Sequence, residues 1–190
     1  MEELRHPIRL IARDDLQRTR LTVFFRLLLA IPHLIWLLVW GIAVLLVTIV
    51  NWFITLLRGR PSDGVHAWTS RFVRYQVHVN AYVYLVADPY PSFRGWAGRY
   101  PVDLAIAPPA PQERWKTALR IVLAIPAYVF VTVLGYVLFI VAFLGSFYAV
   151  ATGRYPRGFR DLSAYCLRFQ AQTFGYLFLL TDKYPTLANE

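Results

Sequence analysis

From Leu27 to Leu57 the chain reads LLLAIPHLIWLLVWGIAVLLVTIVNWFITLL, 31 residues without one Asp, Glu, Lys or Arg. A second uncharged stretch runs from Ile121 to Gly153. Each exceeds the roughly 20 residues that cross a bilayer's hydrocarbon core once and falls short of the roughly 40 that two comfortable crossings need. The first stretch starts too late and is too long for the apolar region of a secretory signal, so it is expected in the mature protein.

The rest of the composition agrees with a membrane setting. Of 190 residues, 57% are apolar and 16% charged, against about 25% charged in an ordinary soluble domain. The 20 basic residues outnumber the 11 acidic ones, for a formal net charge of +9. A single cysteine, Cys166, excludes an internal disulfide framework and a multi-thiolate metal site.

Positive charge flanks both stretches on every side. Arg5, Arg9, Arg13, Arg18 and Arg20 precede the first, eight basic residues from Arg58 to Lys116 separate the two, and Arg154, Arg157, Arg160, Arg168 and Lys183 follow the second. Basic residues near membrane segments stay on the cytoplasmic side. That rule favours two hydrophobic hairpins turning near Gly41 and Gly135, with limbs of about 17 residues or about 25 Å. Trp36, Trp40 and Tyr136 near the turns suit an interfacial aromatic belt. The expectation is a multi-pass protein of a prokaryotic plasma membrane with both termini cytoplasmic.

An internal repeat organises the chain. LLLAIPH around Pro32 returns as IVLAIPA around Pro126, an offset of 94. The same gapless offset aligns Pro7 with Pro101, Leu10 with Leu104, Arg26 with Arg120, Gly59-Arg60 with Gly153-Arg154, Arg74 with Arg168, Tyr82 with Tyr176 and Asp88 with Asp182. Two membrane repeats follow, 1–96 and 97–190, related by a pseudo-two-fold. The expected fold is an all-α integral membrane protein by tandem duplication. Each copy holds a hydrophobic hairpin, or a long transmembrane helix, kinked at Pro32 or Pro126. An Arg-bearing amphipathic helix follows, over 65–87 and 159–181, with Arg71 and Arg74 on one stripe and Arg168 in the second copy. The alternating segments HPIRLIA and YPVDLAIA predict short strands that pair across the pseudo-two-fold.

Chemistry is thinly represented. His6, His33, His66, His78 and Cys166 share no spacing that would join a nucleophile to a base. The histidines are not kept by the repeat, where His33 aligns with Ala127, His66 with Arg160 and His78 with Gln172. HExxH, CxxC, GxSxG, Walker and GxGxxG patterns are missing from the sequence. The expectation is a non-enzymatic protein with no catalytic, metal or cofactor residue. Arg26 and Arg120 are each expected about a turn inside a helix, and charge at membrane depth is functional by default. The alternatives are snorkelling to headgroups or pairing with the equally duplicated Asp88 and Asp182. Arginine interleaved with aromatics in RFVRYQVHVNAY fits anionic phospholipid better than nucleic acid, because no RNA or DNA module accompanies it.

The marks Arg26 with Leu29-Ala30-Ile31-Pro32-His33, Gly153-Arg154-Tyr155-Pro156 and Leu179-Leu180-Thr181-Asp182-Lys183-Tyr184-Pro185 resemble a bacterial and archaeal membrane family, domain of unknown function 4389, in two tandem copies. The first copy departs at Gly59-Arg60-Pro61 and at Ala87-Asp88-Pro89. The resemblance implies an integral membrane protein and no catalytic residues.

Function is therefore expected to lie in lipid interaction. Arg26, Arg120, Arg60, Arg154, Arg71, Arg74 and Arg168 are the candidate headgroup-binding residues. Pro32, Pro126, Gly41 and Gly135 are the candidate kinks and turns. The partners are anionic lipid and either a second copy of the chain or a membrane complex, for a shaping or scaffold role. The alternative is a small transporter or channel with a site at the repeat interface.

Overall fold

A computed structural model describes residues 6–188; Arg5 and both chain ends lie outside them. The order of elements is β1 (Ile8–Ala12), α1 (Arg20–Arg58), α2 (Asp63–Val83), β2 (Val102–Ile106), α3 (Arg114–Ala118), α4 (Arg120–Thr152) and α5 (Arg157–Leu177). The chain is mostly helical, and α1 and α4 are each long and apolar enough to cross a membrane.

The hairpins are not formed. Both uncharged stretches are continuous helices, α1 of 39 residues and α4 of 33, or about 58 and 50 Å long. Gly41 and Gly135 sit in mid-helix, so neither is a turn. The reason is local: one glycine costs a helix only about 1 kcal/mol, and no polar or proline cluster accompanies it to satisfy the backbone groups a turn would release. Reversal occurs instead at Gly59 and Gly153, which take the left-handed conformation at φ 72° and 74° and return their N–H to Thr55 and Ala149. Gly41 faces the Phe72 ring, which an added Cβ would meet at ordinary contact distance. Pro32 and Pro126 lie inside their helices on the exposed side.

The helices α2 and α5 each run back along the long helix before them. They start at Asp63 and Arg157 and stop at Val83 and Leu177, four residues short of the expected ends, because Leu85 and Leu179 adopt positive φ. They form the most enclosed part of the protein, and α2 exposes only Asp63, Gly64, Ala67 and Arg71. The amphipathic helices are therefore central rather than spread over the surface.

Three layers result. The long helices α1 and α4 lie side by side, α1 on α2 and α4 on α5; α2 and α5 touch each other, and the sheet touches them and neither long helix. The backbone bonds Gln112 N–H to Gly59 O and Arg18 N–H to Gly153 O (2.8 and 2.9 Å) join the end of each long helix to the start of the other, so the pair is antiparallel. The predicted strands pair antiparallel with Leu10 opposite Leu104, the two residues the repeat equates. The pseudo-two-fold thus passes through the sheet centre. Each strand packs on the other repeat's helix, β1 on α5 and β2 on α2.

This exchange is volume-compensated. Ile8 reaches Gly175, where an added Cβ would collide with Ile8 Cδ1; the related positions are Val102 and Ala81, both in the central core. Gly175→Ala is expected to cost about 1–3 kcal/mol by overpacking, more than alanine's helical advantage. Adding Ile8→Val, which copies the other half, should restore the melting temperature in a thermal unfolding comparison.

Candidate functional site

Arg26 and Arg120 are buried, at 3% and 1% exposure, and the Nη groups of both are engaged by the protein itself. Arg26 Nη1 donates to the carbonyls of Tyr82 and Ala87 (2.6 and 3.0 Å), and Nη2 donates to Asp88 Oδ1 at 2.6 Å. Arg120 Nη1 donates to Tyr176 O and Thr181 O, and Nη2 to Asp182 Oδ1 and Gln112 Oε1 at 3.0 and 2.8 Å. Each guanidinium also lies over a ring, Tyr82 at 4.5 Å and Tyr176 at 4.6 Å. Of the two sequence alternatives, pairing with the duplicated aspartates is the one formed.

These clamps hold the C-terminal ends of α2 and α5, where unsatisfied carbonyls carry the negative end of the helix dipole. Both ends are Schellman motifs, with Val86 N–H on Ala81 O and Leu180 N–H on Gly175 O, each at 2.8 Å. The left-handed position normally belongs to glycine; here Leu85 and Leu179 occupy it at φ 60° and 63°. Their carbonyls are gripped in turn. Arg18 donates to Leu85 O and Val86 O, and Gln112 donates to Leu179 O at 2.8 Å. Arg18 and Gln112 were missed in the sequence because the repeat places different residue types there, although both do the same work. The second oxygen of each aspartate accepts a backbone N–H at the start of the first helix of its own repeat, Thr19 before α1 for Asp88 and Glu113 before α3 for Asp182.

The other candidate arginines lie elsewhere. Arg60 is exposed beside Asp63 at 2.9 Å, and Arg154 is exposed just past the end of α4. Arg71 lies over Trp96 at 4.6 Å. Arg74 donates to Leu104 O and sits 3.1 Å from Asp103 Oδ1, which is also 3.2 Å from His78 Nε2. Burial opposes the ionisation of Asp103, but bonds from His78 and from the N–H groups of Gly98 and Leu104 outweigh it and hold the carboxyl below its ordinary value. Arg168 lies over Tyr165 at 5.0 Å.

The four histidines are buried. His33 Nδ1 is 2.6 Å from Tyr75 Oη, and His66 Nε2 is 3.3 Å from Leu180 O. Among the described residues no group of three His, Cys, Asp or Glu side chains is placed to hold a metal. An apolar cavity of about 520 Å³ lies beside Arg26 between α1, the end of α2 and α4, with Ser146 in its wall. The related residue is Trp52, whose indole N–H donates to Thr117 O at 2.7 Å.

Asp88→Asn and Asp182→Asn should each destabilise the fold by about 3–5 kcal/mol, because each leaves a buried guanidinium without its counter-ion; thermal unfolding in detergent measures it. A depressed Asp103 pKa adds stability above its unfolded value of about 3.9 and loses it as pH falls through the lower folded value. Asp103→Asn should therefore lower stability at neutral pH and flatten its decline on acidification below pH 4.

No curated protein and no solved structure matches the chain. A family match does, twice, and both matched segments contain an arginine clamp, whereas the two strands lie outside them. Over residues 20–94 and again over 114–188, the chain belongs to the family described as Domain of unknown function (DUF4389).

Proposed function

We propose that the protein is a non-enzymatic membrane component that lies within one leaflet, with α1 and α4 parallel to the bilayer plane, and shapes or scaffolds that membrane. The observation that carries this reading is the position of charge relative to the long helices. Trp40, in the middle of α1, lies on Tyr75 of α2, so the adjacent Arg74 and its partner Asp103 are level with the centre of α1. Gly135, in the middle of α4, faces Gln170 of α5, which places Arg168 level with the centre of α4. Helices upright in a bilayer would hold these groups near its midplane, at about 2.5–3.5 kcal/mol per charge. Helices lying flat keep them on the watery side.

The outer face suits a flat placement. Along its length α1 exposes Leu21, Leu28, Ile35, Ile42, Ile49 and Phe53, and α4 does the same from Ile121 to Val150. Lengths of about 58 and 50 Å exceed a hydrocarbon core of about 30 Å, but length imposes no mismatch on a helix in the plane. Exposed basic residues stand at or near the four ends of the long helices: Arg20, Arg58 with Arg60, Arg114 in α3 just before α4, and Arg154 with Arg157. An in-plane layer puts all of them at one headgroup level, where anionic lipid attracts them. Arg60 and Arg154 are the headgroup residues in this reading, while Arg26 and Arg120 hold the fold. With continuous helices, an upright placement would give one crossing per long helix in place of the two that each hairpin would make. A transport site at Arg26 and Arg120 is disfavoured because both Nη groups of each are engaged.

Spin labels placed singly at Leu28, Leu46, Val133 and Phe147, in a Cys166→Ser background in vesicles, should report one common depth. A depth that changes steadily along α1 from one surface to the other would refute the flat placement. Arg60→Gln and Arg154→Gln should each lower affinity for anionic vesicles about fivefold, from about 1 kcal/mol per basic residue, with little change on neutral vesicles. Vesicles that stay spherical at high protein load would exclude a shaping role and leave the scaffold.

A further inference from the structure

Beside the sheet the pseudo-two-fold is broken in charge. Offset 94 equates Arg74 with Arg168, His78 with Gln172, and Asp103 with Arg9. Around α2 the set is balanced, since Asp103 faces both Arg74 and His78. Around α5 the place of the carboxylate belongs to a second guanidinium, because β1 crosses onto α5 and brings Arg9 with it.

The consequence is visible on Arg168. Its Nε and Nη2, the two donors of the guanidinium's side-on edge, are buried without a hydrogen-bond partner. On Arg74 the same two atoms are occupied by Leu104 O. Gln172, the counterpart of His78, is already engaged, donating to Ile8 O and accepting from Thr186 N–H at 3.2 and 3.0 Å. A cavity of about 280 Å³ lies at this point, lined by Arg9, Leu10, Ile11, Arg168 and Gln172. Buried donors without acceptors are costly, and two guanidinium groups repel across such a space. An oxyanion between the two groups removes the repulsion, and a turn of the Arg168 side chain into the cavity gives its two parallel donors two oxygens.

We propose that this pocket is an anion site for a phosphate group, held between the Arg168 and Arg9 side chains, where the other half carries the carboxylate of Asp103. The site stands on the fold alone and does not depend on how the protein meets the membrane. The phosphate belongs either to a soluble ligand or to a lipid headgroup, and the two sources are separable.

The full chain in detergent is titrated with inorganic phosphate at constant ionic strength, with chloride as the balancing anion, and the melting temperature is followed. The same measurement is made in nanodiscs with and without phosphatidic acid. Arg9→Asp supplies the carboxylate of the other half, so it should melt higher than the native chain in phosphate-free buffer and lose the response to phosphate altogether. Arg168→Gln should lose the response as well. A native-chain shift with inorganic phosphate assigns a soluble source; a shift with phosphatidic acid alone, erased by Arg9→Asp, assigns the headgroup. A native chain that responds to neither, or an Arg9→Asp protein that responds as the native chain does, overturns the site.

Discussion

A buried guanidinium at the end of an inner helix is the interaction on which each repeat depends. The long helices present an apolar stripe that buries surface without specifying register, because one apolar contact resembles the next. Arg26 and Arg120 supply the specificity. Each must find acceptors for its charge inside the protein, and the carbonyls at the C-termini of α2 and α5, with Asp88 and Asp182, are the set that satisfies it. The same contacts hold Leu85 and Leu179 in a conformation that a side chain resists, at a cost of about 1–2 kcal/mol each. Stopping α2 and α5 there lets each aspartate close the start of the first helix of its own repeat.

Duplication built the rest, and divergence since then follows packing. Where one half has Ile8 against Gly175, the other has Val102 with Ala81. Where Tyr155 leaves no room for a Cβ on Gly145, the related residues are Pro61 and Asn51, and Asn51 Oδ1 accepts Ser62 N–H instead. Such exchanges preserve volume or backbone satisfaction, as a densely packed interior demands. The replacement of Asp103 by Arg9 preserves neither charge nor hydrogen bonding. Packing does not account for this exchange, and an external anion would restore the balance.

Much of the architecture was legible. The repeat and its offset, the two strands and their pairing, and the inner helices all follow from period and spacing, which local sequence encodes directly. The hairpins did not follow. A helix of 39 residues and two limbs of half that length have the same composition, and the charge-placement rule assumes segments that cross. Only the packing of α2 along most of α1 distinguishes them. The clamps were legible in part, since Arg26 and Asp88 are both duplicated. Their main acceptors are backbone carbonyls, and a carbonyl has no sequence signature.

By itself the sequence determined the two-copy plan and the apolar length of α1 and α4, because hydropathy and periodicity are properties of neighbouring residues. The tertiary structure decided which arginines are neutralised and which are not. Arg74 meets Asp103 across 29 positions and Arg9 shares a cavity with Arg168 across 159, both because each strand is laid on the opposite repeat. Partner choice over such distances is settled by how layers pack as a whole, and no local pattern carries it.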